Sequence, residues 1–151
     1  MAFRNKGNKM KKIISILGIA LGMASFATAD AKVDGEKVFE SKCASCHIKM
    51  ITKEETMKIF KTIKAPPMVE VSRQLKDNIK IVDDLDDEIH RAVVIAVIKD
   101  YVIYPTLEKS MCSAMMLEKN GVMPSQKGKL NEAELNAVAT WVYDYYVGKK
   151  F

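Results

Sequence analysis

The sequence predicts an all-α protein, and three observations carry that expectation. Its 151 residues include only seven glycines and four prolines, so long stretches run without a breaker. No stretch alternates apolar and polar residues between hairpin turns. Several segments instead open on capping residues and then repeat apolar side chains every three or four positions. The length is that of one domain. A chain 48% apolar and 28% charged is ordinary for a globular protein and argues against a membrane protein.

The elements follow in order. A first helix is expected from about Asp34 to Lys42, with Asp34 as N-cap and Val38 and Phe39 on its apolar side. Thr52-Lys53-Glu54-Glu55 has capping-box spacing. Met57, Ile59, Phe60 and Ile63 carry that second helix until it ends before Ala65-Pro66-Pro67. A third helix covers roughly 72–81. The fourth runs from about Leu85 to Ile103, its start crowded by Asp83, Asp84, Asp86, Asp87 and Glu88, where the helix dipole favours negative charge. Ile89, Val93, Val97 and Tyr101 recur along it at i+4 until Pro105 stops the run. A short helix is expected around Leu107 to Lys119. The last opens at Asn131-Glu132-Ala133-Glu134 and continues through Leu135, Val138, Ala139, Trp141 and Val142 to about Val147.

The N-terminal 29 residues read differently. Arg4, Lys6, Lys9, Lys11 and Lys12 precede an uncharged, mostly apolar run from Ile13 to Phe26, followed by Ala27-Thr28-Ala29. A basic region, a short apolar region and small residues at alternate positions make a secretory signal peptide over residues 1–29. The apolar run falls short of the roughly 20 residues needed to span a bilayer, which disfavours an uncleaved anchor. The expected mature chain is residues 30–151, located in the periplasm, with no membrane span after cleavage. No cysteine at the cleavage site indicates a lipid anchor. The leader holds five of the 24 basic residues and none of the 19 acidic ones. Residues 30–151 therefore carry 19 of each and no net charge, which removes the support for a nucleic-acid partner.

Cys43-Ala44-Ser45-Cys46-His47 carries the chemistry. Each part of C-x-x-C-H has a job in covalent haem attachment. Cys43 and Cys46 form thioethers to the two vinyl groups, and His47 supplies an imidazole to the iron. A redox dithiol usually comes with a βαβ pattern, which is missing here. A zinc site would need more ligands than Cys112 and His90 offer at their spacing. One haem c is the expected cofactor.

Gly35-Glu36-Lys37-Val38-Phe39 followed by the haem motif resembles the N-terminal helix of class I c-type cytochromes. That resemblance implies a cytochrome c-like helical fold around one covalently bound haem. It also implies close crossing of the first and last helices, with Gly35, Phe39 and Trp141 in the matching places. Residues 48–119 are longer than a minimal member requires and give the fold an enlarged helical middle section, as in enlarged bacterial monohaem types. The resemblance further implies that the carbonyl orienting His47 comes from a proline loop, and Ala65-Pro66-Pro67 resembles that loop.

The sixth iron position separates an electron carrier from a binder of small molecules. Residues 30–151 offer seven methionines, most of them suited to filling a core. Met123 stands in the turn-rich loop Asn120-Gly121-Val122-Met123-Pro124-Ser125 ahead of the last helix, from which a thioether can reach the iron opposite His47. Met123-Pro124 also resembles the family's distal ligand loop. Met68, His90 and Cys112 are the alternatives. The expected function is one-electron transfer, by a protein that is not itself an enzyme, between respiratory partners: a quinol-oxidising complex, a terminal oxidase or a periplasmic reductase. A haem c subunit of a larger redox complex and a haem-based gas sensor with a weak sixth ligand remain the other readings. Oligomeric state is not legible.

Overall fold

Asp34 marks the point where extended chain turns helical. Its carboxylate accepts from the backbone N–H groups of Glu36 (3.0 Å) and Lys37 (3.4 Å), so the expected N-cap is in place. The structure, a computed structural model, describes residues 32–81 and 87–151. It is helical, with no strand among the described residues. The leader expected over residues 1–29 lies outside them, as do Asp83, Asp84, Leu85 and Asp86.

Helix α1 (Gly35–Val38) runs straight into a π-helical turn, Phe39–Cys43. There the Ala44 N–H reaches back five residues to the Phe39 carbonyl at 2.9 Å. Such wide turns recur at functional sites, and this one ends on the first cysteine of the motif. Periodicity gives no warning of it, because residues 34–42 fit an ordinary helix equally well.

Helix α2 (Lys53–Ile59) opens on the expected capping box, with Thr52 and Glu55 each bonding the other's backbone N–H at 3.1–3.2 Å. It stops earlier than expected. Met57 and Ile59 are exposed, the chain turns at 60–62, and Ile63 alone of the four apolar residues becomes fully buried. Helix α3 (Met68–Asn78) starts four residues before the expected Ser72, directly after Pro67. Ser72 begins nothing: it is 1% exposed, and its hydroxyl donates to the Val142 carbonyl at 2.8 Å.

Helix α4 (Asp87–Ile103) keeps Asp87 and Glu88 in its first turn. Its buried stripe is rotated from the expected one and runs through Val94 and Ile98, while Ile89 and Val93 are exposed. Val97 and Tyr101 are half-buried and face a cavity. Helix α5 is shorter than expected, Ala114–Asn120, with the Ser113 hydroxyl accepting from the Met116 N–H at 3.4 Å. Residues 107–110 form a turn. Helix α6 (Glu132–Asp144) opens on the Asn131/Glu134 capping box at 2.9 Å in both directions.

Helix α6 is the hub of the fold, packing on α1, α3 and α4. Val38, Phe39, Val69, Val94, Ile98, Val138, Ala139 and Val142 make one continuous core. Polar ties fix the same contacts. Lys76 donates to the Tyr143 carbonyl at 2.6 Å, Tyr146 to the Lys49 carbonyl at 2.8 Å, and Arg91 grips both Asp144 oxygens at 2.7 and 2.6 Å. The Arg91 pair is exposed and contributes little. Ser72 is the buried member of the set. Ser72→Ala removes its donor from a dry interface and is expected to cost about 1–2 kcal/mol, read as a lower denaturant midpoint with unchanged slope. No helix among the described residues is long and apolar enough to cross a membrane.

Candidate cofactor site

The π-helical turn delivers Cys43, and the chain then folds back on itself. The N–H groups of Cys46 and His47 both donate to the Cys43 carbonyl, at 3.1 and 3.0 Å. This short loop gathers Cys43, Cys46 and His47 along one wall of a cavity of about 740 Å³. A space of that size lies within the range of about 300–1,000 Å³ usual for small-molecule and cofactor sites.

Two hydrogen bonds staple the motif to the proline loop. His47 Nδ1 donates to the Pro66 carbonyl at 2.8 Å, and the Met68 N–H donates to the Ile48 carbonyl at 2.8 Å. Helix α2 is thus an excursion between two pinned stretches of loop. The carbonyl expected from Ala65-Pro66-Pro67 is the one observed. Its consequence is chemical. Burial pushes the His47 imidazole below its ordinary pKa, with the Pro66 bond pulling partly the other way. The neutral ring with its proton on Nδ1 carries its lone pair on Nε2, the form in which imidazole can bind a metal.

Burial raises the Cys43 thiol, and its proximity to Cys46 adds to the rise. Cys46 is exposed. Both cysteines stand on the same wall as His47, the arrangement that covalent attachment of a haem requires.

The opposite end of the chain supplies another part of the wall. Met123 lies outside any helix, directly ahead of Pro124. Gly121 makes the sharp exit from α5 possible, with a φ of 68° that other residues rarely adopt. Beyond Pro124 the loop is tied to the C-terminal end of α4. The Gln126 N–H donates to the Val102 carbonyl at 3.0 Å and the Ser125 hydroxyl to the Ile103 carbonyl at 2.6 Å. The enlarged middle section therefore serves the site in two ways. Helix α4 walls the cavity, through Val97, Ile98, Tyr101 and Val102, and it anchors the Met123 loop.

Of the alternatives for the sixth position, Met68 and Cys112 line the same cavity as Met123 and His90 does not. Met68 lines the cavity but is the first residue of α3 and belongs to the packed core. His90 is not on the wall. Its Nε2 donates to the Ile79 carbonyl at 3.1 Å and its Nδ1 lies 3.0 Å from the Tyr143 hydroxyl, so both ring nitrogens are engaged elsewhere. Cys112 is on the wall, half-buried, and its thiol is pushed up by burial. Met111 and Met116 join it there. Sequence reasoning missed these two methionines as lining residues. The Ser113 cap, which fixes the start of α5 between them, was the one local signal of their placement.

A chain with one C-x-x-C-H motif, a cavity of cofactor size and convergent soft ligands is chemically suited to haem. Comparison with known proteins agrees. The model of the family described as cytochrome C oxidase, cbb3-type, subunit III matches residues 29–142. A relative from Aquifex aeolicus (strain VF5), described as an uncharacterized protein, is 32% identical over 146 residues, covering 91% of this chain and 89% of its own. No solved structure matches.

Proposed function

The chain belongs to the c-type cytochromes, in the family described as cytochrome c oxidase, cbb3-type, subunit III, and on that premise we propose that it is a periplasmic monohaem electron carrier ligated by His47 and Met123. Membership in the family makes it a haem-based carrier of electrons. The finer reading rests above all on one observation: Cys43, Cys46, His47 and Met123, 80 positions apart from first to last, all line one cavity whose wall also includes Val71, Leu75, Val97, Ile98, Val138 and Val142.

Haem c supplies a one-electron Fe(III)/Fe(II) couple when bound. The residues of the chain do the rest. Cys43 and Cys46 fix the group covalently. His47, held by the Pro66 carbonyl, would present Nε2 to the iron in one orientation, and Met123 would supply the second ligand. The anchors from Ser125 and Gln126 to α4 hold the Met123 loop in place, which limits rearrangement when an electron arrives or leaves. The apolar wall excludes water and keeps the surroundings of low polarity. Residues 1–29 act as the signal peptide, so the exported chain begins at Asp30. Its redox partners are a quinol-oxidising complex, a terminal oxidase or a periplasmic reductase.

The family's description favours a second reading, a haem c subunit held in a larger oxidase complex. Gel filtration of the natively expressed protein separates the two: a monomer supports the carrier, and persistent co-elution with other redox subunits supports the subunit.

The test of the site is the optical spectrum of the purified ferric protein. The weak far-red band from methionine sulfur to iron is expected in the wild type and in Met68→Leu, and is expected to vanish in Met123→Ala while haem stays attached after denaturation. A band that survives Met123→Ala removes Met123 from the site. A high-spin wild type would point to an open position and to gas binding.

A further inference from the structure

The outer side of α4 is as apolar as a core face. With about 3.6 residues to the turn, Ile89, Ala92, Val93 and Ala96 fall in one stripe along the helix. All four are exposed, Ile89 at 51% and Val93 at 38%. The opposite side of the helix is the one already in use, with Val94 and Ile98 buried and Ile98, Tyr101 and Val102 on the cavity wall. Asp100, one turn beyond Ala96, ends the stripe and is held by Lys109 at 2.7 Å. A surface helix ordinarily turns charged and polar residues to water, and a contiguous apolar patch in their place marks a contact surface.

The stripe is complementary to itself. Ile89 and Ala96 stand equally far from the midpoint between Ala92 and Val93. A two-fold axis at that midpoint, with two α4 helices antiparallel, sets each Ile89 on Ala96 of the second copy and each Val93 on its Ala92, large on small. The charges obey the same axis. Glu88 and Lys99 stand on one flank of the stripe, about three turns apart, and such an axis maps each flank onto the same side of the pair. Each Glu88 then comes within about 3 Å, measured along the helix, of the level of Lys99 in the other copy. Flanking ion pairs of this kind set the orientation of paired helices, and Lys99 makes no ion pair among the described residues. We infer that α4 is a self-association surface, on which a second copy of this chain docks antiparallel over Ile89, Ala92, Val93 and Ala96 with a Glu88–Lys99 pair on either side of the axis. The stripe covers about 11 Å of helix, too little to bury the roughly 800 Å² per partner of a standard interface, so the dimer is weak and reversible. No residue assigned to the haem takes part, and the inference stands apart from that assignment.

Sedimentation of the purified haem-bearing protein over about 5 to 500 µM reads the association directly. The mean mass is expected to be that of a monomer at the low end and to rise toward twice that value at the high end, with a dissociation constant of about 100 µM. Val93→Glu changes an exposed side chain, so it should keep the wild-type optical and far-ultraviolet circular dichroism spectra and stay monomeric throughout. Lys99→Glu and Glu88→Lys each face like charges across the axis and should weaken the dimer about fivefold or more. The exchanged pair Glu88→Lys/Lys99→Glu should restore it to within about twofold of the wild type, which only a symmetric antiparallel contact allows. A wild type that is monomeric at the highest concentration overturns the inference, as does a dimer that survives Val93→Glu. An exchanged pair as weak as the single variants overturns the antiparallel arrangement. Co-elution with another redox subunit that is lost in Val93→Glu, from a wild type that does not self-associate, assigns the face to that subunit and overturns the second copy as its occupant.

Discussion

Phe39→Ala is expected to destabilise the protein by about 4 kcal/mol, the largest loss from any single truncation in this core. Phe39 is 1% exposed and sits at the junction of α1 and the π-helical turn. Its ring lies 4.9 Å from that of Trp141, tilted by 31°, and Trp141 in turn stacks on Tyr145 at 4.7 Å and meets Tyr146 edge-on at 5.6 Å. Truncation therefore opens a cavity beneath one end of an aromatic stack whose other members stand on the last turn of α6 and the turn that follows it. The surroundings have little freedom to collapse into it, because Tyr146 is held by its bond to the Lys49 carbonyl. Loss of the aromatic pair adds about 1 kcal/mol to the truncation. Against a total stability of about 5–15 kcal/mol, the change is large. It is measured by denaturant unfolding of the haem-bearing protein, with a drop in thermal midpoint of about 10 °C as the parallel sign. A second consequence is local. The turn from Phe39 to Cys43 positions the first cysteine, so lower haem incorporation during expression should accompany the loss of stability. Phe39→Leu, which keeps most of the apolar volume, should recover the larger part of both.

The parts of this fold that could be read from the sequence are those set by local chemistry. Asp34, Thr52 and Asn131 cap helices because short polar side chains satisfy free N–H groups wherever a helix begins, whatever surrounds them. The motif at 43–47 and the Met123-Pro124 loop were legible for the same reason: spacing and turn chemistry are local properties. What went astray depended on tertiary packing. Ser72 invites a helix start by its residue type, but α6 passes close enough for the Val142 carbonyl to accept its hydrogen bond, and it lies in the interior of α3 instead. In α4 the i+4 series Ile89–Val93–Val97–Tyr101 competes with Val94–Ile98, and contact with α6 rather than the pattern decides which is buried. The grouping of Lys42, Lys64, Lys109 and Lys129 along one cavity was not legible for a different reason: only the fold brings positions so far apart in sequence together.

Gly35→Ala sets two effects against each other, and their sizes decide the outcome. Alanine in place of glycine within a helix gains about 0.5–1 kcal/mol through the smaller entropy lost on folding. At Gly35, however, a Cβ would stand 2.2 Å from the Ala137 carbonyl oxygen and 2.5 Å from Trp141 Cβ. Neither atom is the far end of a flexible side chain. One is backbone of α6, and the other is fixed directly to that backbone, so relief requires the two helices to move apart. Such overpacking costs about 3 kcal/mol when the main chain must shift, which outweighs the helical gain several times over. The expected net loss is about 2 kcal/mol or more, read from the denaturant midpoint. Moving α6 away from α1 also separates Trp141 from Phe39, so the near-ultraviolet circular dichroism of the aromatic stack should weaken in the folded variant. Gly121 provides the control for mechanism. No atom lies within 4 Å of a Cβ built there, so Gly121→Ala meets only the strain of its positive φ. Its φ of 68° and ψ of −164° fall in a region open almost only to glycine, so the change should cost about 1–3 kcal/mol and leave the aromatic signal unchanged. If Gly35→Ala were as stable as the wild type, the close crossing of α1 on α6 would be wrong, and with it the placement of the turn that carries Cys43.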